Sequence, residues 1–382
     1  MSLEKFKKAI KSPFFIIFLL SLVSLLVAFF FVRYPLQLNG DAPSYFDAMK
    51  FMQGQPANQL TYDTQENAEF FLKVRILTTP LMLLSSILAG KLFGGEYQGM
   101  LAVNIVFYFL IILVFYRLAW IVYQDKRVAF IGTVFFLANY GLYNYGTTYR
   151  TDLGGWFFFL LASWLAVSYF YRPENKKFYF LSILASSVGV LFKEYGALGL
   201  ISLIIIVLYQ SAGSWQKVKA VIKIAALFLI IPVVYHLFIY WQFNFSYLDW
   251  YGYNFKEIIN NPATPAINWS IFLLIKVLGW LFSVGWPIFV FGLYQEYKNF
   301  NYQRFKILLA ILPASLAFLA WPALTQRIAF IFVPLLALIS GYGLSKIKNR
   351  YLIGLILMIY ILINYLIRNQ FLPWDLLRLV NI

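Results

Sequence analysis

Apolar residues in this chain seldom alternate with polar ones; they run in long blocks separated by short charged turns. The blocks cover residues 14–32, 100–121, 129–146, 154–171, 178–192, 195–210, 219–240, 269–294, 304–321, 328–345 and 350–367. Several exceed the roughly 18 apolar residues that mark a membrane-crossing helix, and the runs extend over the whole chain. The pattern predicts an all-α polytopic membrane protein with about eleven transmembrane helices. The first block follows a lysine-rich opening, lacks a small-residue cleavage site and runs into Arg33-Tyr34-Pro35, so it reads as a retained span.

Composition agrees with that reading. Of the 382 residues 62% are hydrophobic and only 12% charged, and mean hydropathy is +0.74, whereas a soluble domain carries about 25% charged residues. There is no cysteine and one histidine, His236, which excludes disulfides, thiolate metal sites and multi-histidine metal sites and leaves a carboxylate-bound divalent ion open. No repeat or long linker divides the chain, so residues 1–382 read as one integral domain.

The net charge of +16 is informative through its distribution. With a cytoplasmic N-terminus and alternating sides, the inner turns and their borders hold 19 of 31 basic residues but only Glu4, Asp125, Glu174 and Glu296 of 15 acidic ones. This is a positive-inside bias, so the basic charge anchors the protein in its membrane lipids and does not signal nucleic-acid binding. The expected outer segments are 33–99, 241–268 and the C-terminal tail 368–382. In the first, Pro43 to Met52 places Tyr45, Ala48, Met49 and Met52 at helical spacing and predicts an interfacial helix. The run from Ile76 to Phe93 is broken by Thr78-Thr79-Pro80; a twelfth span there would invert every later turn, so it reads as an interfacial or partly re-entrant helix.

Several polar residues gather on the expected outer side. Asp41, in Asn39-Gly40-Asp41-Ala42-Pro43, suits a helix cap, with Pro43 in the first turn, and equally a general base or metal ligand at the membrane surface. Asp152, in Tyr149-Arg150-Thr151-Asp152, suits a cap for the helix from Leu153, with Arg150 pairing with it or with lipid phosphate. Lys193-Glu194-Tyr195 forms a tight turn between short spans, where the charges either snorkel to water or present a cation to a phosphate. Arg327 sits where the positive-inside bias disfavours it; a guanidinium there either anchors the interface or grips a phosphate. Lys276 lies inside a span, where a charge faces a partner or an aqueous cavity. His236 reads as a hydrogen-bonded interface residue rather than a ligand. Tyr140, Tyr143, Tyr145 and Tyr149 read first as part of an interfacial aromatic belt and second as the lining of a sugar site. Gly154-Gly155 opens a membrane helix and reads as a close-packing point; no nucleotide loop, dinucleotide fingerprint, nucleophile elbow or zincin motif occurs in usable context.

Asn39-Gly40-Asp41 followed by Tyr45 and Ala48, Arg75 followed by Thr79-Pro80-Leu81, Arg150-Thr151-Asp152, Lys193-Glu194-Tyr195 and Gln326-Arg327 occur in that order on one expected face. In this the chain resembles the GT-C superfamily of polytopic glycosyltransferases, especially its ArnT-like and protein O-mannosyltransferase-like members, over nearly its full length. Thr79 stands where the usual paired prolines begin, and the chain carries no sizeable soluble C-terminal domain. The resemblance implies a GT-C-like helical bundle with interfacial helices in the first outer loop. It also implies transfer of a hexosyl or pentosyl group from a polyprenyl-phosphate sugar donor to a lipid, glycan or protein acceptor, by single displacement with inversion.

Carried over residue by residue, Asp41 and Asp152 are the catalytic candidates. Arg327, Lys193, Arg150 and Lys276 are candidates for the donor phosphate, and Tyr45, Arg75, Glu194 and Tyr149 for positioning substrate. A divalent cofactor, Mg or Mn, would fall to Asp41 and Asp152. The expected location is a prokaryotic plasma membrane with the C-terminus outside, although an endoplasmic-reticulum orientation carries the same charge pattern. The rival readings are a transporter or lipid flippase, whose cue would be matching broken helices in two repeated halves, and a noncatalytic assembly subunit, in which Asp41 would be dispensable.

Overall fold

The computed structural model describes residues 13–30, 41–56, 68–146, 148–260, 271–320 and 325–368. The expected tail 368–382 and the side chains of Tyr143 and Tyr145 fall outside that description, as do Asn39 and Gly40 of the first loop. The described residues form helices and no strand. In chain order these are α1 (Pro13–Phe30), α2 (Ala42–Met52), α3 (Ala68–Thr78), α4 (Pro80–Phe93), α5 (Glu96–Tyr123), α6 (Lys126–Leu137), α7 (Tyr140–Gly146), α8 (Asp152–Tyr171) and α9 (Lys176–Phe192). There follow α10 (Gly199–Gln210), α11 (Ser214–Phe243), α12 (Tyr247–Asn260), α13 (Ile271–Phe282), α14 (Trp286–Lys298), α15 (Tyr302–Ser315), α16 (Gln326–Ala329), α17 (Val333–Ser345) and α18 (Arg350–Arg368).

Each apolar block coincides with a helix or a broken pair of helices, and the protein is an integral membrane protein. Six helices are long and apolar enough to cross a membrane, or seven if the bent pair α3 and α4 is one span; Pro13–Leu26, Glu194–Gln210 and Arg350–Leu366 are apolar but shorter. The expected count of eleven is therefore not reached by length and composition among the described residues. One block accounts for part of the shortfall: 129–146 stops at Asn139, whose side chain accepts from the Gly141 N–H at 2.9 Å, leaving α6 and α7 as separate pieces. A hydropathy pattern does not register such a break, because a buried amide that satisfies the backbone locally changes the path and barely changes the mean.

The run 76–93 does break at Thr79-Pro80, with α3 and α4 bent by 94°. Proline removes a backbone donor and disfavours helix at the residue before it. The helix expected to lie in the membrane interface forms as α2, but Tyr45, Ala48 and Met49 on its apolar stripe are fully buried in protein.

Two close approaches set up the interior. The α17 helix is buried on nearly all sides. A Cβ on Gly341 would stand 2.6 Å from the Gly132 Cα, so α6 and α17 touch backbone to backbone. A Cβ on Gly155 would stand 2.6 Å from the Lys193 Cβ, so the start of α8 lies against the residue that ends α9. The second approach brings two sequence-distant polar turns, 149–152 and 193–195, to one end of the bundle.

Candidate active site

Asp41 does not cap α2; no side-chain cap bond is formed there, although Pro43 does occupy the first turn. Its carboxylate instead accepts from two arginines, Arg75 Nη2 on Oδ1 at 2.8 Å and Arg327 Nη1 on Oδ2 at 2.8 Å. Guanidinium–carboxylate bonds are charge-assisted and outcompete neutral backbone N–H donors for the same oxygens. Ser44 completes the local frame, donating from Oγ to the Asp41 carbonyl at 2.7 Å and accepting from Arg75 Nε at 2.9 Å. The Arg75 guanidinium also lies over the Tyr45 ring, 4.7 Å from its centre.

Asp152 likewise departs from its expected cap role. It is the first residue of α8, fully buried, and its Oδ2 accepts from Arg327 Nε at 2.7 Å, so its ion pair is with Arg327 and not with the adjacent Arg150. Its second oxygen, Oδ1, is buried without a hydrogen-bond partner among the described residues. The turn before it is pinned by Asn104, which donates to the carbonyls of Thr148 and Arg150, both at 2.8 Å. Thr151 donates to the Tyr45 hydroxyl at 3.1 Å and ties this turn to α2. Tyr149 packs against Phe46 and Tyr97, so it supports α2 from behind.

Arg75, Asp41, Arg327 and Asp152 thus form one continuous chain of charge, built from four segments up to 286 residues apart. Lys193 joins it electrostatically: it is buried, its ammonium makes no ion pair or hydrogen bond among the described residues, and its charge is felt at Asp41 and Tyr45. Burial alone would raise the Asp41 pKa, but Arg75, then Arg327 and Lys193, hold the carboxyl well below the usual carboxylate range. The same three cations outweigh burial at Tyr45 and hold its phenol below its ordinary value. Glu194 adds its charge to the burial that raises the phenols of Tyr247 and Tyr251 on α12.

The remaining expected residues fall elsewhere. Lys276 is exposed on α13 and lines a hollow of about 330 Å³ with Gly279, Trp280, Ser283 and Ile363, apart from the Asp41–Arg327 cluster. A lysine facing the membrane extends its ammonium toward the headgroups, which accounts for the charge without a partner. His236 stacks on Tyr247 with ring centres 5.6 Å apart, and its Nδ1 has no hydrogen-bond partner among the described residues. Tyr140 donates its hydroxyl to Gln326, an internal contact and neither belt nor open sugar surface. A metal shared by Asp41 and Asp152 does not fit: the Arg327 guanidinium fills the place between them, and no group of three His, Cys, Asp or Glu forms among the described residues.

Sequence reasoning gave no role to Ser44, Asn104 or Thr151, although Thr151 stands within the Arg150-Thr151-Asp152 motif; each is a small polar residue inside or beside an apolar run. It also paired Arg150 with Asp152 because they are neighbours, where the fold supplied Arg327.

Comparisons with known proteins bear on the fold. Residues 78–239 match the family described as dolichyl-phosphate-mannose-protein mannosyltransferase. No curated protein matches the chain by sequence. Among solved structures, ArnT from Cupriavidus metallidurans bound to undecaprenyl phosphate superposes with a TM-score of 0.64 at 15% identity, over 90% of this chain and 62% of that one. The apo form of the same protein gives 0.61 at 17% identity over 89% and 61%. The oligosaccharyltransferase of Archaeoglobus fulgidus, crystallised in its apo form, gives 0.60 at 14% identity over 95% and 56%. A second structure from that organism, the oligosaccharyltransferase AglB with an inhibitory peptide and a dolichol-phosphate, gives 0.59 at 13% over 94% and 56%. This chain therefore spans about three-fifths of the length of these solved proteins. The chain therefore has the fold of ArnT and of the oligosaccharyltransferase, and its residues 78–239 carry the sequence match to the mannosyltransferase family.

Proposed function

We propose that the protein transfers a sugar from a polyprenyl-phosphate donor to a lipid, glycan or protein acceptor at the outer membrane face. The observation that carries this reading is the charge balance of the buried cluster. Arg75, Arg327 and Lys193 face Asp41 and Asp152, leaving one surplus positive charge at the end of a membrane-embedded bundle. A lipid phosphate arriving from the bilayer supplies the missing anion and the fork-shaped acceptor that guanidinium groups favour. ArnT, of the same fold, has been crystallised with undecaprenyl phosphate and AglB with a dolichol-phosphate, which supports a lipid-phosphate ligand here.

The ion pairs suggest how donor binding prepares the chemistry. With Arg75 and Arg327 both on Asp41, the carboxylate is a poor proton acceptor, since a base works best with a pKa near the operating pH. A phosphate that draws these arginines away from Asp41 removes the charges that depress it and frees an oxygen to accept a proton. In the proposed step an acceptor hydroxyl oxygen bonds to the anomeric carbon as the bond from that carbon to the phosphate oxygen breaks. Asp41 takes the hydroxyl proton, and Arg327 and Lys193 stabilise the charge on the departing lipid phosphate. Asp152 holds Arg327 through Nε, leaving the rest of the guanidinium to turn toward the ligand. No step requires a metal.

The reading is tested by mass-spectrometric detection of transfer in lipid nanodiscs, with a panel of polyprenyl-phosphate sugars and candidate acceptors, for wild type and Asp41→Asn. Turnover by wild type and loss in a folded Asp41→Asn variant is the expected outcome; equal turnover removes Asp41 from the chemistry. Anomeric NMR of the product should show inversion, and retained configuration would rule out the single displacement.

A further inference from the structure

Arg327 stands in the first turn of the continuous helical run Gln326–Ser345, which α16 opens, with the Thr325 hydroxyl accepting from the Ile328 N–H at 3.4 Å as its cap. That helix holds the backbone at Arg327 but leaves its long side chain a choice of rotamers. Something else must set where the guanidinium stands.

A connected set of buried amides and hydroxyls runs from the last helix to this turn. Asn139, fully buried at the break between α6 and α7, donates to the Leu281 carbonyl at 2.8 Å and to the Tyr360 hydroxyl at 3.2 Å. The Tyr140 backbone N–H donates to Asn364 Oδ1 at 3.0 Å, and Asn364 Nδ2 donates to the Tyr360 carbonyl at 2.9 Å. So α18 fixes the backbone of Tyr140, and the Tyr140 hydroxyl donates to the side-chain oxygen of Gln326, the residue before Arg327. The same Arg327 then bridges Asp41 and Asp152.

We propose that Tyr140 is a positioning residue for Arg327, set by Asn364 of the last helix and acting through the Gln326 side chain. The inference rests on the reading that Arg327 receives the donor phosphate. A buried tyrosine hydroxyl needs an acceptor, and a backbone carbonyl would serve that need. Here the acceptor is the side chain next to the cation that closes the charge cluster, and the hydroxyl reaches it from a helix break held by two buried asparagines. Asn139, Tyr140, Tyr360 and Asn364 are all under 5% exposed, so the link is shielded from water and stiff.

Tyr140→Phe removes one hydroxyl and leaves the ring packing. In nanodiscs, undecaprenyl phosphate should bind it about tenfold more weakly than wild type, with a melting temperature within about 2 °C. Asn364→Leu should weaken binding in the same direction. In an Arg327→Gln background Tyr140→Phe should have no further effect, because a residue acting through another has nothing left to act on. Unchanged affinity of Tyr140→Phe, or a full additional loss in the Arg327→Gln background, overturns the proposal. If wild type binds no lipid phosphate, the functional reading fails. The coupling of Tyr140 to Arg327 is then measured by thermal melting of the same four proteins, where non-additive shifts sustain the positioning link and additive ones refute it.

Discussion

Two buried charge clusters sit at opposite ends of the bundle. At the far end Arg304 pairs with Glu296 at 2.7 Å, eight residues away, and donates to the Asn299 carbonyl at 2.9 Å and the Tyr342 hydroxyl at 3.2 Å. Its guanidinium lies 4.5 Å from the Tyr342 ring centre, and Tyr342 stacks on Tyr123. Arg304 and Glu296 are both under 16% exposed, the Lys346 ammonium lies 4.6 Å from the same Tyr342 ring centre, and the contacts are mostly local. At the site end three cations face two carboxylates, Asp41 is 39% exposed, and the partners come from four distant segments. Both ends carry more cations than carboxylates among the described residues, so what separates them is exposure and reach: the Arg304–Glu296 pair is closed and local, whereas the Asp41 cluster has an open edge and joins distant segments.

The sharpest way to break that comparison is to neutralise one carboxylate at each end. Asp41→Asn should lower kcat about 10²- to 10⁴-fold, the range for loss of a general base, whereas Glu296→Gln should leave kcat of the folded fraction unchanged. Comparable rate losses in nanodisc assays would show that the two clusters do not differ in role.

Removing the arginines comes next. Arg327→Ala and Arg304→Ala each strand a buried carboxylate, and each should cost about 3–5 kcal/mol of stability, read by thermal or denaturant unfolding. Only Arg327→Ala should also weaken undecaprenyl phosphate binding by the protein that remains folded. Lys193→Met should have a smaller effect, weakening that binding about tenfold while leaving the melting temperature near wild type, since the ammonium forms no ion pair or hydrogen bond among the described residues.

The smallest effect is in pH dependence. Because the Asp41 pKa is lowered in the folded protein, its contribution to stability is complete above the ordinary carboxylate value. It begins to be lost only below about pH 4, as the unfolded chain takes up a proton that the folded site refuses. The melting difference between wild type and Asp41→Asn should therefore be flat from neutral pH down to about pH 5 and shrink below. For kcat/KM, which reports the free enzyme, no acid limb from Asp41 should appear in the ordinary carboxylate range. If the donor phosphate takes the arginines, the acid limb of kcat should lie at higher pH than that of kcat/KM; coincident limbs would show that Asp41 keeps its arginines throughout.

The hydrophobic blocks were enough to locate the apolar helices, though not α12 in the outer segment 241–268, and Thr78-Thr79-Pro80 was enough to locate the bend between α3 and α4, because both are properties of neighbours along the chain. Chemistry was legible as types of residue on one expected face: Asp41, Asp152, Lys193 and Arg327 all meet at one end. Pairing was not. Asp41 and Asp152 looked like caps because a cap is the nearest local use for a carboxylate at a helix start, and Lys276 looked buried because its neighbours in sequence are apolar.

The sequence by itself therefore determined the solvent, the helices and the identity of the charged residues. Only the tertiary structure decided that Arg75 and Arg327 share one carboxylate, that Asp152 holds Arg327, and that Lys276 stands apart. Helix formation and membrane partition depend on contiguous residues, whereas an ion pair depends on where the close approaches at Gly155 and Gly341 and the breaks at Asn139 and Pro80 bring segments up to 286 residues apart.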